Sequence, residues 1–346
     1  MTDLCRRDGQ LIENWYIACQ AKDLKPKKIT TVVIYDLPLI LFRDQEGAVS
    51  CLIDRCIHRH SPLSAGKLQD GVISCPYHGW KFNSLGELIA IPSEKDHCFK
   101  AGRRRLRRFP VQEQDGFIWV FMGKNPGSSM PWHFPYEKSW THYVMETSFS
   151  NEVTHLAENF MDVPHTTFVH RGWFRNASEK KMQITVETRD KGVLVTYEKQ
   201  DDKIGFINKF LNPKNKALVH TDHFIMPNIT KVDYLFGETG FSIISQCTPI
   251  SKLKTKVYTA IIYKLFPSID PFLKPFLNWY TRVVIEQDLK IMQIQGRNIS
   301  DLAHPNFMAG KADIIHHEIE KLRSIGITKP EELANISGNK KEMLWI

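Results

Sequence analysis

Two short segments constrain this chain more than any others: Cys56-Ile-His58 and, after sixteen intervening residues, Cys75-Pro-Tyr-His78. Each offers one thiolate and one imidazole from a tight loop, so together they make a four-point metal site. Tetrahedral zinc and an iron–sulfur cluster both accept that donor set. Zinc sites usually pair like with like, two Cys in one half and two His in the other. Here each half mixes the two types. Two parallel loops that each give a Cys and then a His deliver both thiolates to one iron of a [2Fe–2S] cluster and both imidazoles to the other. The spacing therefore favours the cluster over zinc. Gly66 and Gly71 between the loops, and Pro76 with Gly79 around the second, supply tight backbone. His60 lies close by, but the four positions are full, which leaves it as a surface residue.

With 346 residues the chain has room for two domains or one large one. Apolar residues make up 42% and charged residues 24%, which excludes disordered and fibrous classes. The most apolar stretches, Thr31–Phe42 and Val257–Phe266, are interrupted by Asp36 and Lys264, so no membrane span is expected. The first ten residues lack a continuous apolar run, and no secretory signal is expected. Seven Cys, an odd number, argue for reduced thiols rather than a disulfide framework. A soluble, cytoplasmic protein is the expectation. Cys5, Cys19, Cys51, Cys98 and Cys247 read as packing or surface thiols.

The net charge of +8 raises nucleic acid as a partner, but much of the excess sits in Arg103-Arg-Arg-Leu-Arg-Arg108. That run reads first as a solvated turn and second as a docking patch for an acidic protein. Without basic and aromatic residues interleaved in the RNA-binding manner, nucleic acid is not expected.

Short segments rich in Val, Ile and aromatics predict strands over Thr30–Tyr35, Leu39–Phe42, Val49–Ile53, Val72–Cys75, Trp80–Phe82 and Phe117–Met122. They imply a small antiparallel β-domain. Gly123–Pro135, with three Pro and two Gly, is the natural boundary. Beyond it come a strand over Tyr143–Phe149, a helix over Asn151–Met161 and a hairpin of Met182–Arg189 with Gly192–Lys199, turning at Asp190-Lys-Gly. Strands over Thr230–Phe236, Phe241–Thr248 and Lys256–Leu265 follow, then helices over Phe276–Ile299 and Ile314–Ser324. The fold class is α+β, with a mostly antiparallel sheet and helices on one side in the second domain.

A second donor set follows the first helix: Asn159, Asp162, His165 and His170. Asn159, Asp162 and His165 are spaced i,i+3 and follow one helical face. His165 and His170 are five apart, so the helix must break between them and the face, and Pro164 disfavours a helical Val163. Two His and one carboxylate make the facial triad of non-haem Fe(II) sites. Asp288 is the candidate carboxylate: Val284, Ile285, Ile291 and Met292 surround it at helical spacing, and an ionised Asp on an apolar face needs a partner or a metal. Glu286, between Arg282 and Lys290, reads as a solvated ion pair.

Both donor sets, with their flanking residues Cys56-Ile-His58-Arg59-His60-Ser61-Pro62-Leu63-Ser64, Cys75-Pro-Tyr-His78-Gly79-Trp80 and Asn159-x-x-Asp162-x-x-His165-x4-His170, resemble those of the Rieske non-haem iron oxygenases. The likeness runs from about Trp15 to about Gln295; no diagnostic residue follows residue 300. It implies a Rieske [2Fe–2S] domain over 1–130 and a helix-grip-like catalytic domain over 131–346. Cys56, His58, Cys75 and His78 would bind the cluster, and His165, His170 and Asp288 the mononuclear Fe(II). Asp162 would match the bridging carboxylate between one subunit's iron-ligand His165 and a neighbour's His78, in a ring-shaped homotrimer. Asn159 matches a polar position near the iron.

The spacing Asn-Phe-Met-Asp-x-x-His is most similar to the vanillate/dicamba demethylase branch. The implied activity is O2-dependent hydroxylation or oxidative demethylation of a small, largely apolar or aromatic substrate. Cis-dihydroxylation is the alternative within the family. A Rieske electron carrier or redox sensor without oxygenase activity, and a zinc-stabilised binding protein, are alternatives outside it. No Gly-x-Gly-x-x-Gly opens a helix after a strand, so NAD(P)H electrons are expected through a separate ferredoxin or flavin reductase, docking near Arg59 and Arg103–Arg108. Phe160, Phe168, Trp173, Phe174, Trp279 and Tyr280 are candidates for an apolar pocket, with core packing the commoner role for such residues.

Overall fold

The computed structural model describes residues 11–94, 104–173, 181–200, 212, 216–266, 268–302 and 307–345. Arg103, Phe174, Cys5 and Cys98 lie outside them. The chain divides into two compact units, Met1–Phe134 and Pro135–Ile346.

The strands of the first unit are Trp15–Gln20 (β1), Thr30–Ile34 (β2), Leu37–Arg43 (β3), Val49–Ile53 (β4), Lys67–Gln69 (β5), Val72–Ser74 (β6), Lys81–Phe82 (β7), Leu88–Ala90 (β8), Arg108–Phe109 (β9), Val111–Gln114 (β10) and Phe117–Phe121 (β11). They form three antiparallel sheets, ordered β1-β11-β10, β2-β3-β4-β9 and β5-β6-β7-β8. β11, Phe-Ile-Trp-Val-Phe, lies between two neighbours and buries every side chain. Tight turns set the registers. Tyr35-Asp36, Asp70-Gly71 and Asp115-Gly116 each place both central residues at positive φ, the geometry whose twist matches that of a hairpin.

From Arg105 to Arg108 the arginine run is extended rather than a solvated turn. Leu106 and Phe109 are buried anchors, the Arg105 backbone forms an isolated antiparallel bridge with that of Glu87, and Arg108 lies opposite Leu52 in the β4–β9 pairing. The Arg107 guanidinium lies 4.6 Å over the Phe109 ring. Two apolar side chains among the arginines pin the segment to the sheet edge, while Arg104, Arg105 and Arg108 remain exposed.

The second unit has the strands Thr141–Phe149 (β12), Lys181–Arg189 (β13), Gly192–Gln200 (β14), Leu218–Ile225 (β15), Ile229–Phe236 (β16), Thr239–Ser251 (β17), Lys254–Lys264 (β18) and Gly338–Trp345 (β19). They make one antiparallel sheet, β12-β18-β17-β16-β15-β14-β13-β19. The hairpin β13–β14 turns on Asp190-Lys191, both at positive φ. Among the described residues the α-helices are Val153–Met161 (α1), Asp270–Asp301 (α2) and Ile314–Thr328 (α3). α2 begins six residues before the expected Phe276. Pro271 sits where a helix needs no amide donor, and Pro275 gives up only one bond in the second turn.

The segment after residue 300 is structural. Ile314, Ile315, Ile319 and Leu322 of α3 pack with Ile184, Val186, Val193 and Val195 of the sheet. β19 then closes the sheet against β13, from Lys181 opposite Trp345 to Thr188 opposite Gly338.

α2 is fastened where α1 begins. A Cβ on Gly296 would fall 2.1 Å from the carbonyl oxygen of Ser150, so only glycine permits this approach. Asn151 Nδ2 donates to the Met292 carbonyl at 2.9 Å and to Gln295 Oε1 at 2.8 Å. The result sets Asp288, two turns earlier on α2, against the end of α1. No helix among the described residues is long and apolar enough to cross a membrane.

Candidate metal centres

The two Cys/His loops are built alike. In the first, His60 N donates to the Cys56 carbonyl and Cys56 N to the Ser61 carbonyl, each at 2.9 Å. In the second, Gly79 N donates to the Cys75 carbonyl at 3.0 Å and Cys75 N to the Trp80 carbonyl at 2.8 Å. His60 and Gly79 occupy equivalent corners, at φ of 57° and 69°. His60 is thus the corner of its loop, with an exposed side chain. Asp54 ties the first loop down by accepting from Ser64 N at 2.8 Å and Ser64 Oγ at 2.6 Å.

These loops bury Cys56 and Cys75 and leave His78 exposed. The His58 and His78 rings are 4.6 Å apart, and His58 stacks on Trp80 at 4.5 Å. Burial and the neighbouring Cys75 sulfur push the Cys56 thiol up, so two thiolates require a cation between them. His58 Nδ1 is buried without a hydrogen-bond partner. The Cys56 sulfur neighbours that of Cys75 and the His58 ring neighbours that of His78, so sulfur pairs with sulfur and imidazole with imidazole. This donor set suits a two-iron cluster and not tetrahedral zinc.

His165 and His170 reach the second centre from the chain beyond α1. The break comes at Asp162, which is extended (φ −86°, ψ 108°), whereas Val163 is helical (φ −71°, ψ −40°) despite the proline after it. Pro164–Thr167 then forms a 3-10 turn, and Asp162 Oδ2 caps it by accepting from His165 N at 3.1 Å. The turn brings His165 and His170 together with Asp288, with one donor atom of each within 4.8 Å of the others.

Asp288 Oδ1 lies 3.2 Å from His170 Nε2 and 3.6 Å from His165 Nε2, and makes no hydrogen bond of good geometry. Burial pushes the Asp288 carboxyl up, but the two imidazoles outweigh it and hold it at about 2. Burial pulls His165 down, but Asp162 and Asp288 outweigh it and lift it to about 9. On its outer side His170 Nδ1 meets Gln287 Oε1 at 2.8 Å, which makes Nδ1 the donor and turns Nε2 toward Asp288 and the centre. Two imidazoles and a carboxylate thus converge with one donor atom each, the donor set of a ferrous site.

The centre opens onto a cavity of about 120 Å3 between the sheet and α2. Asn159, Asp162, His165, His170 and Asp288 all line it, and Asn159 Nδ2 is buried without a partner. Phe149, Phe160, Val232, Ile243, Val284 and Ile285 give it apolar walls. Of the expected pocket aromatics, Phe160 lines this cavity and Tyr280 a smaller neighbouring one. Trp173 packs against the core, while Phe168 and Trp279 are 80% and 53% exposed.

Residues 14–110 match the family described as the Rieske [2Fe-2S] domain. Residues 152–315 match the Vanillate O-demethylase oxygenase C-terminal domain. The chain carries a Rieske [2Fe-2S] domain followed by a domain of the vanillate O-demethylase oxygenase type. The chain is 26% identical to a chlorophyllide a oxygenase of Arabidopsis thaliana over 83% of its length and 54% of that protein's. It is 31% identical to the oxygenase component of dicamba O-demethylase of Stenotrophomonas maltophilia, over 45% of its length and 47% of that protein's. It therefore spans about half the length of the curated relatives it matches. The crystal structure of dicamba monooxygenase bound to dicamba shares its fold, with a TM-score of 0.75 at 21% identity, covering 93% of this chain and 100% of that one. Its cofactors follow from the family: a Rieske [2Fe–2S] cluster and a mononuclear iron.

Gln287 and Asp222, both at this site, carry no sequence signal. Nothing in helical periodicity marks a Gln beside Asp288. β15 shows no apolar alternation, because its inward positions include His220 and Asp222.

Proposed function

We propose that this chain is a terminal oxygenase that hydroxylates or oxidatively demethylates a small, largely apolar or aromatic molecule. O2 is the oxidant, and electrons come from NAD(P)H through a separate ferredoxin or flavin reductase. The observation that carries the reading is the His165–His170–Asp288 cluster opening onto an apolar cavity. Bound there, ferrous iron supplies O2 activation, and the cluster supplies electrons one at a time.

The chain's own residues do the rest. Cys56, His58, Cys75 and His78 hold the cluster, and His165, His170 and Asp288 hold the iron. Asp162 fixes the His165 backbone, and Gln287 fixes the His170 tautomer. The apolar walls exclude water from the bound molecule, and the unpartnered Asn159 amide offers it a hydrogen-bond donor. Exposed His78 and part-exposed Asp162 suit a homotrimer in which His78 of one copy faces Asp162 and His165 of the next. Exposed Arg59, Arg104, Arg105 and Arg108 suit an acidic electron donor. Buried, unbridged Cys19, Cys51 and Cys247 suit a reducing, cytoplasmic setting.

The test is substrate-dependent consumption of 18O2 by the iron-loaded, reductase-coupled chain. One labelled atom is expected in a hydroxylated product or, after demethylation, in formaldehyde trapped before it exchanges with water; two in one product would replace monooxygenation by dihydroxylation, and oxygen uptake independent of substrate with no label in product or formaldehyde would refute the oxygenase.

A further inference from the structure

The apolar cavity holds a carboxylate that the metal centre does not use. Asp222 projects inward from β15 and lines the cavity with its side chain 2% exposed. Tyr197 donates its hydroxyl to Oδ2 at 2.7 Å, and His220 Nε2 meets Oδ1 at 2.9 Å. The His220 ring is clamped between Tyr197 and Tyr234, with centroids 4.1 Å and 4.2 Å away and nearly parallel planes. Tyr234 in turn stacks on Phe241 at 4.9 Å. Four aromatic rings therefore fix the orientation of one carboxylate within the cavity wall.

A carboxylate has about four acceptor positions on its two oxygens, and Tyr197 and His220 fill one on each. Acceptor capacity remains on a group that water reaches poorly. Unpaired polar groups in such surroundings are costly, so a molecule that brings a donor is favoured over one that does not. The described lining residues include Asp162, Asp222 and Asp288 but neither Lys nor Arg. Apart from the metal ion that Asp288 helps to hold, a ligand carboxylate would meet the acidic side chains of Asp162 and Asp222 and no cationic side chain of Lys or Arg.

We infer that Asp222 is a specificity-determining residue that selects substrates carrying a hydroxyl or amine donor and rejects carboxylic acids. This rests on reading the cavity as the substrate site. Sites built around a buried hydrogen-bonding group discriminate strongly against analogues that lack the matching group.

Equilibrium dialysis of the iron-loaded protein against four probes with a common ring tests it: benzyl alcohol, benzylamine, benzoate and toluene. The alcohol and the amine are expected to bind at least about tenfold more tightly than benzoate and toluene. Asp222→Asn, which can turn an amide N–H toward the ligand, should narrow the benzylamine-to-benzoate ratio by about tenfold or more. Tyr197→Phe frees an acceptor position on Oδ2 and should move selectivity the other way, favouring benzyl alcohol further over toluene. Opposite signs from two neighbouring variants would not arise from a merely structural network. Benzoate or toluene matching benzyl alcohol, selectivity unchanged in Asp222→Asn, or no binding of any probe at millimolar concentration would overturn the inference. None of these readouts requires O2 chemistry, so selectivity without oxygenation would refute the proposed activity alone.

Discussion

His170 Nδ1 lies 2.8 Å from Gln287 Oε1, and Gln287 immediately precedes Asp288 on α2. The same helical turn thus supplies one metal-site oxygen and the group that orients a metal-site imidazole. Outer partners of this kind fix the tautomer of a ligating histidine and typically contribute one to two decades of metal affinity. Gln287→Leu is expected to weaken ferrous binding by about 10- to 100-fold, with cluster absorbance unchanged. Titration of metal-free protein with Fe(II) measures this. Unchanged affinity would remove Gln287 from the site.

Asp162 makes a different contribution. It accepts from the His165 backbone amide and lies 3.4 Å from His165 Nδ1 without being part of the triad. Asp162→Asn keeps a capping oxygen, so both metals should remain at full occupancy while turnover falls by about two decades or more. Metal analysis alongside turnover separates the two. Near-normal turnover would contradict a functional role for this carboxylate.

The centre also predicts a pH dependence. In the metal-free chain His165 titrates at about 9, raised from 6.5 by Asp162 and Asp288 in spite of burial. A raised imidazole stabilises the fold fully below pH 6.5, and that contribution fades as pH rises through 9. A metal needs the neutral ring, so Fe(II) must displace this proton below pH 9. Metal affinity should climb by up to about tenfold per pH unit toward 9 while the Tm of the metal-free protein declines. Paired calorimetric scans with and without metal test both trends. A flat affinity from pH 7 to 9 would contradict them.

The C-terminal helix carries stability rather than chemistry. Ile319 is fully buried among Ile184, Val186, Val193 and Val195 or their immediate neighbours in the same core. Ile319→Ala should cost about 2–5 kcal/mol and leave the cluster spectrum intact. Denaturant unfolding measures this, and a loss below about 1 kcal/mol would mean the helix is not part of the cooperative core.

What could be read from the sequence was local. The Cys/His loops declare themselves because all donors and turn residues lie within a few positions of one another. His165 and His170 sit in one such segment, and Asp288 stands out because its helical neighbours are apolar. The signals that failed depend on tertiary contacts. β1, Trp-Tyr-Ile-Ala-Cys-Gln, buries five of its six residues and shows no alternation. β15 turns His220 and Asp222 inward where alternation would demand apolar residues. β19 reads Gly-Asn-Lys-Lys-Glu-Met-Leu-Trp, and only Leu344 is buried, so its pairing with β13 is invisible in composition. The helix break at Asp162 instead of Val163 reflects the carboxylate capping the next turn, which outweighs the local preference set by Pro164.

The central claim is that one chain holds both a two-iron cluster and a separate ferrous site at His165, His170 and Asp288. Iron and acid-labile sulfide, measured on anaerobically purified, iron-replete protein and on Asp288→Ala, test it most directly. The predicted contents are three irons to two sulfides for the natural chain and two to two for the variant, with identical cluster absorbance. Two irons to two sulfides in the natural chain after ferrous reconstitution would contradict the claim and leave an electron-transfer protein.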